Sequence, residues 1–202
     1  MKTVLLKATM YYTKVPYSVV SLMYRGGLQT APLYEKNSDT HNIERIGKMS
    51  RQIRTSAKAV VIQHGKLLAI KVNDGNEEWY ILPGGGQDSE EVLSETVERE
   101  VREETGLEVR CEELLFVIEG VHGESFHRID LVFLCDYLGE TANAVLHRDT
   151  NQVGVEWLDL SGLNKLPLYP SKLRRPIMNF YQGKEYRKYL GNEEIGDPEY
   201  FE

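Results

Sequence analysis

The chain has 202 residues, 41% of them hydrophobic and 27% charged, with a formal net charge of −7. This is the make-up of a soluble globular protein, long enough for one ordinary domain or one domain with an appendage. The acidic balance weighs against a nucleic-acid-binding surface as the main function. No apolar run approaches the roughly 20 residues that span a bilayer.

MKTVLLKATM opens like a signal peptide. However, Lys7 cuts the apolar run short and no small-residue cleavage site follows, so a cytoplasmic location is expected. Residues 1–50 show no clean periodicity. They read as an extension outside the core fold, with an extra strand or a dimerisation arm as the other reading. Met49 begins MSRQIRT, itself a reasonable start. From Arg54 the pattern becomes regular. Ala57–Gln63 and Lys66–Val72 alternate as strands around His64-Gly65, a hairpin signal. Asp74-Gly75-Asn76 reads as a turn, and Glu78–Leu82 is a short strand stopped by Pro83-Gly84-Gly85-Gly86. A helix is predicted from about Ser89 to Thr105. Strands follow at Leu114–Val121, His127–Tyr137 and Val153–Leu160. A basic helix from Ser171 to Tyr181, broken or kinked near Pro176, comes last. Strands mixed with two helices suggest a sheet covered by helices. Two cysteines, Cys111 and Cys135, are too few for a disulfide framework and lack zinc-type spacing.

The helix from Ser89 carries the clearest chemistry. Asp88 is its expected cap, Glu91 completes a capping box, and Gly106 suits a left-handed C-cap. On a wheel with Leu93 as origin, Val97 lies at roughly 40° and Val101 at roughly 80°. Glu100 falls at about −20° and Glu104 at about +20°, within the same sector, with Glu103 at its edge near −80°. The inward face is therefore apolar in its first turns and acidic in its last. Buried, clustered carboxylates need a compensating cation. Arg99 and Arg102 lie mostly on other faces, with Glu95–Arg99 reading as a surface pair. A hard divalent ion with oxygen ligands is the better answer. The glycines before the helix would let backbone approach a metal or phosphate closely.

These residues resemble the Nudix box: Gly, five residues, Glu, seven residues, Arg-Glu, an aliphatic, any residue, Glu-Glu, any residue, Gly and an aliphatic. Gly85, Glu91, Arg99-Glu100-Val101-Arg102-Glu103-Glu104-Thr105-Gly106-Leu107 fill every fixed position. The resemblance implies an α+β class with the Nudix fold, an α/β/α sandwich around a mixed sheet, over residues 51–165. Residues 166–202 would be a C-terminal helical tail. It implies Mg2+, with Mn2+ as a substitute, held by Glu100, Glu103, Glu104 and the carbonyl of Gly84. Arg99 would orient the box carboxylates and Glu91 fix the loop. Glu103 is either a ligand or the base that activates water. Glu156, before Trp157-Leu158, matches the further acid that family members often supply, although a solvent-facing place on its strand is as good a reading.

The implied activity is hydrolysis of the diphosphate linkage in a nucleoside diphosphate derivative. The substrate would be an ADP-ribose-like nucleotide sugar or a nucleoside triphosphate, including an oxidised one. Gly85, Gly86, Trp79, Glu119 and His127 are the candidates for contacting it, with Tyr80 and Glu124 beside them. Core packing suits one of Trp79 and Tyr80 better. Lys172, Arg174 and Arg175 read as a solvated basic face rather than a phosphate site. The alternative is a non-catalytic Nudix ligand-sensing or interaction module. Such modules commonly lose box carboxylates, and none is lost here. A small-molecule nucleotide is the expected partner, with no membrane or nucleic acid. A homodimer would form through residues 1–50 or the tail.

Overall fold

The computed structural model describes residues 52–121, 126–142, 146–147 and 149–193. The N-terminal extension, Met49 and Glu124 lie outside the described residues. Nine strands form one curled, mixed sheet: β1 (Ile53–Gln63), β2 (Lys66–Asn73), β3 (Glu78–Ile81), β4 (Gly84–Gly86), β5 (Leu107–Gly120), β6 (His127–Glu140), β7 (Gln152–Asp159), β8 (Leu168–Tyr169) and β9 (Tyr189–Asn192). The order is β8-β3-β2-β1-β6-β5-β9, with β4 on β1 and β7 on β2. The pairs β1–β6, β3–β8 and β5–β9 are parallel and the others antiparallel.

Alternation along β1 sets the layers. Ala57, Ala59 and Val61 pack with Val97 and Val101 of helix α1 (Leu93–Thr105). Val60, on the opposite face, packs with Leu115, Phe116 and Val132 beneath Leu163, Leu173 and Ile177. The last of these belongs to helix α2 (Arg174–Tyr181). The expected sandwich is thus formed by α1 on one face and the C-terminal segment on the other. Among the described residues, no helix is long and apolar enough to cross a membrane.

Several expected boundaries shift, each for a local reason. The hairpin at His64-Gly65 forms as expected, both residues having positive φ as a tight primed turn requires. The glycine loop is itself a strand: Gly84–Gly86 pairs with Ser56–Lys58. Helix α1 begins at Leu93, not Ser89. The Val92 N–H donates to Glu95 (3.1 Å), while Glu91 stays outside the helix and accepts from the Thr96 hydroxyl and Arg99. Strand β5 begins directly after the Gly106 C-cap, earlier than Leu114. Register shifts between Glu108 and Phe116 blur its alternation. Pro176 kinks nothing. It falls in the first turn of α2, where a missing N–H has no intrahelical partner to lose, after a 3-10 turn at Ser171–Leu173.

The segment after Leu166 is not a separate tail, since it supplies β8, α2, β9 and the fully buried Leu168, Leu173 and Ile177. Arg174, expected on a solvated face, is buried. Its Nε donates to the Leu168 carbonyl (2.8 Å) and its guanidinium lies over the Tyr169 ring. At the far end, the half-buried carboxylate of Glu193 accepts from the Ser171 N–H (2.6 Å), the Ser171 hydroxyl (3.2 Å) and the Lys172 N–H (3.3 Å). That bond set fastens the end of β9 to the turn entering α2.

The truncation Ile177→Ala is expected to destabilise the whole domain by about 2–5 kcal/mol in urea denaturation, as large-to-small changes in a closed core do. A loss below about 1 kcal/mol would show that the C-terminal segment is an appendage after all.

Candidate active site

Strand β4 brings backbone against two acids of α1. Gly84 has φ 129°, and a Cβ there would lie 2.2 Å from the Ala57 carbonyl oxygen and 2.8 Å from the Lys58 Cα. Only glycine permits that approach of β4 to β1. At Gly85 a Cβ would lie 2.5 Å from the Glu100 carboxyl carbon, so this carboxylate rests on bare backbone. Gly86 has open space above it and borders a cavity.

The last turns of α1 bear the acids, and their exposure follows the wheel. Glu104 is only 5% exposed, and it accepts from the Gly84 N–H (2.8 Å) and from Gln152 Nε2 (2.7 Å). Burial pushes its carboxyl up to about 7, against the pull of Lys58 and of these hydrogen bonds. Burial also raises Glu100, opposed chiefly by Arg99. Glu103 is the most open of the three, with Arg99 Nη1 at 3.7 Å and His147 Nδ1 at 3.8 Å.

Arg99 is turned inward, not paired with Glu95. It clasps Glu91 through Nε (2.7 Å) and Nη2 (3.0 Å), binds Glu100 through Nη1 (2.7 Å) and reaches the Gly86 carbonyl (3.3 Å). Held in this way, the Glu91 carboxyl falls to about 2. One guanidinium therefore fixes the loop, the helix and an acid in a single arrangement.

The Lys58 ammonium donates to the Gly84 carbonyl. Among the described residues no three Asp, Glu, His or Cys side chains already converge as an ion site. The donors nonetheless fit a hard divalent cation: the buried Glu104, the half-buried Glu100, the more open Glu103 and a backbone carbonyl, all of them oxygen.

Beside this cluster opens a cavity of about 370 Å³. Lys58, Gly86 and Gln87 form its edge at the glycine strand, and Tyr169, Pro170 and Leu173 form a wall from the C-terminal segment. Its floor carries Asp130, hydrogen-bonded by the Ser56 hydroxyl and ion-paired with Arg128 (2.9 Å). Arg54 lies over the Phe126 ring at the rim.

The remaining candidates are spread more widely. Trp79 is in the core with Ile70 and Val72, which leaves it no open face for a base. Tyr80 is half-buried and donates to Glu156 (2.9 Å), whose carboxylate also meets Lys71 (3.4 Å) rather than the box residues. Glu119 and His127 pair with each other at 2.7 Å, and Tyr189 donates to Glu119 (2.6 Å). Neither Glu119 nor His127 lines the cavity, since β6 alternation gives that face to Arg128 and Asp130.

Sequence reasoning missed Lys58, Gln152 and the Arg128–Asp130 pair. Lys58 carried a signal, as a lone charge inside the apolar run AKAVVI. Asp130 carried a similar one between Ile129 and Leu131. Gln152 carried none.

A curled mixed sheet with a glycine strand feeding an acid-bearing helix defines an α+β enzyme fold built to present carboxylates beside a cleft. The family description "NUDIX domain" matches residues 53–180. The ADP-ribose pyrophosphatase of Methanocaldococcus jannaschii is 30% identical over 126 residues, 61% of this chain and 72% of that protein. A Nudix hydrolase from Nitrosomonas europaea superimposes with a TM-score of 0.57 at 19% identity, over 67% of this chain and 93% of that one. An ADP-ribose pyrophosphatase from Streptococcus suis gives 0.51 at 20% identity, over 69% and 97%. The chain belongs to the Nudix family, and is a hydrolase acting on pyrophosphate bonds.

The two glycines predict a contrast. Gly84→Ala should fail to fold or melt far below the wild type, whereas Gly86→Ala should melt within a few degrees of it; equal melting temperatures would refute the close approach of β4 to β1. Glu91 predicts a pH dependence. Its folded carboxyl lies below the ordinary 4.5, so its contribution is present above that pH and lost as pH falls towards about 2. Glu91→Gln should therefore be less stable than the wild type at neutral pH. In urea titrations the gap should narrow below pH 4.5, and a gap constant with pH would contradict this role.

Proposed function

We propose that this enzyme hydrolyses the diphosphate linkage of a small nucleoside diphosphate derivative of the ADP-ribose type, with Mg2+ as cofactor and Mn2+ as a substitute. The observation that carries the reading is the juxtaposition of the half-buried Glu100 and the buried Glu104 with the Gly84-Gly85 backbone, next to Gly86 and Lys58 at the edge of a cavity. Its volume of about 370 Å³ falls within the usual range for small-molecule sites. The likeness to the M. jannaschii ADP-ribose pyrophosphatase supports the substrate class.

Glu100, Glu103, Glu104 and the Gly84 carbonyl would hold the metal. When bound, a divalent ion neutralises the diphosphate and makes a water more acidic. The chain's own residues do the rest. Arg99 holds Glu100 in place from one side, and Gly84 N–H and Gln152 hold Glu104 from the other. Glu103 is the proton acceptor: it is the most open of the three acids, and its partners stand at 3.7 and 3.8 Å. Glu156 already has its carboxylate engaged by Tyr80 and Lys71, so it supports the sheet beside the site. The cavity takes the remainder of the nucleotide.

Incubation with Mg2+ and a panel of nucleoside diphosphate sugars and nucleoside triphosphates, with products separated by chromatography, tests the reading. ADP-ribose should be split to AMP and ribose phosphate. Turnover of triphosphates alone would overturn the substrate class, and no turnover of any compound would favour a binding module. Glu103→Gln should lower kcat by about a hundredfold or more without changing the melting temperature, in line with the loss of a general base. Glu156→Gln should lower it by less than about tenfold. The reverse ranking would move the base to Glu156.

A further inference from the structure

Lys58 is the charged side chain of an otherwise apolar strand segment, and its surroundings give it two distinct tasks. Its ammonium donates to the carbonyl of Gly84, the oxygen assigned above to the metal. The same residue also lines the cavity, next to Gly86 and Gln87. A lysine has a compact charge on a flexible four-carbon stem, and so can serve either place without moving the backbone. It cannot share one carbonyl with a divalent ion, because two cations at hydrogen-bond range repel strongly in a partly buried setting.

We propose that Lys58 is an exchangeable internal cation: without metal it holds the Gly84 carbonyl, and on metal binding it yields that place and turns into the cavity to meet a phosphate oxygen of the nucleotide. The inference rests on the metal-site reading above. It accounts for two observations together. Lys58 holds the carbonyl assigned to the metal, and the same side chain lines the cavity beside Gly86 and Gln87. It also implies linkage. If metal releases the lysine that the nucleotide needs, each ligand strengthens the other through the same side chain.

The test uses the full-length protein stripped with a chelator, with Mn2+ as the metal probe. Free Mn2+ is read by electron paramagnetic resonance. The non-hydrolysable α,β-methylene-ADP is the nucleotide probe, read by calorimetry. Lys58→Met should bind Mn2+ at least about fivefold more tightly than the wild type when no nucleotide is present, because its competitor is gone. With Mn2+ saturating, the same variant should bind α,β-methylene-ADP at least about fivefold more weakly, and without Mn2+ within about twofold of the wild type. In chelator it should melt below the wild type, and saturating Mn2+ should close that gap. Should Lys58→Met fail to fold, Lys58→Leu also removes both the charge and the donor and should show the same tightening of Mn2+. Wild-type Mn2+ affinity in both variants overturns the exchange. Unchanged nucleotide affinity at saturating Mn2+ overturns the second task. A wild-type protein that binds no Mn2+ overturns the metal site itself and the exchange with it.

Discussion

An acid sealed inside a protein must be matched by donors or cations, and the arrangement around Glu104 follows from that requirement. Its carboxylate sits at the end of α1 where water does not reach, so its partners come from elsewhere in the chain: the Gly84 N–H and the Gln152 amide by hydrogen bonds, and Lys58 by charge. To bring Gly84 that close, β4 must lie against β1 nearer than any side chain allows. To hold α1 at the matching height, Arg99 spans from the helix to Glu91 and the Gly86 carbonyl. The three-glycine strand, the inward arginine and the strand lysine are thus parts of one electrostatic solution. They converge at the residues that form the family's box.

This explains which features were legible in the sequence. The box acids could be read because helix geometry alone puts Glu100 and Glu104 in the apolar sector and Glu103 at its edge, and Glu103 is the most exposed of the three. Strands β1 and β2 and their turn could be read because alternation and His64-Gly65 are local signals. The helix start could not be read. Asp88 and Glu91 have the spacing of a cap, but Arg99, eight residues further on, recruits Glu91, and local propensity has no knowledge of that pairing. Strand β4 was hidden because three glycines carry no side-chain pattern. Strand β5 was hidden because its register shifts break the period on which strand recognition depends.

The substrate side of the site was harder to read for a different reason. Trp79 is a candidate as a ring that stacks on a base, and Glu119 and His127 are candidates for their place near the middle strands. The cavity is instead lined from β1, β6 and the segment after Leu166, and strand alternation decides which of their residues face it. On β6, one step of register separates His127, which pairs with Glu119, from Arg128, which joins Asp130 on the cavity floor. Such a choice has no access to that parity unless the buried face is already known.

The bond set made by Glu193 gives the molecule a separation of duties. The cavity wall at Tyr169, Pro170 and Leu173 is fastened by a residue that lies beyond the stretch shared with the family, whereas the acids of the proposed site lie within it. One stretch of chain therefore carries the acids of the proposed site, and another helps to hold the wall of the cavity beside them. The bonds that hold this wall are separate from those that hold the acid-bearing helix, so a change at Glu193 acts on the one and spares the other.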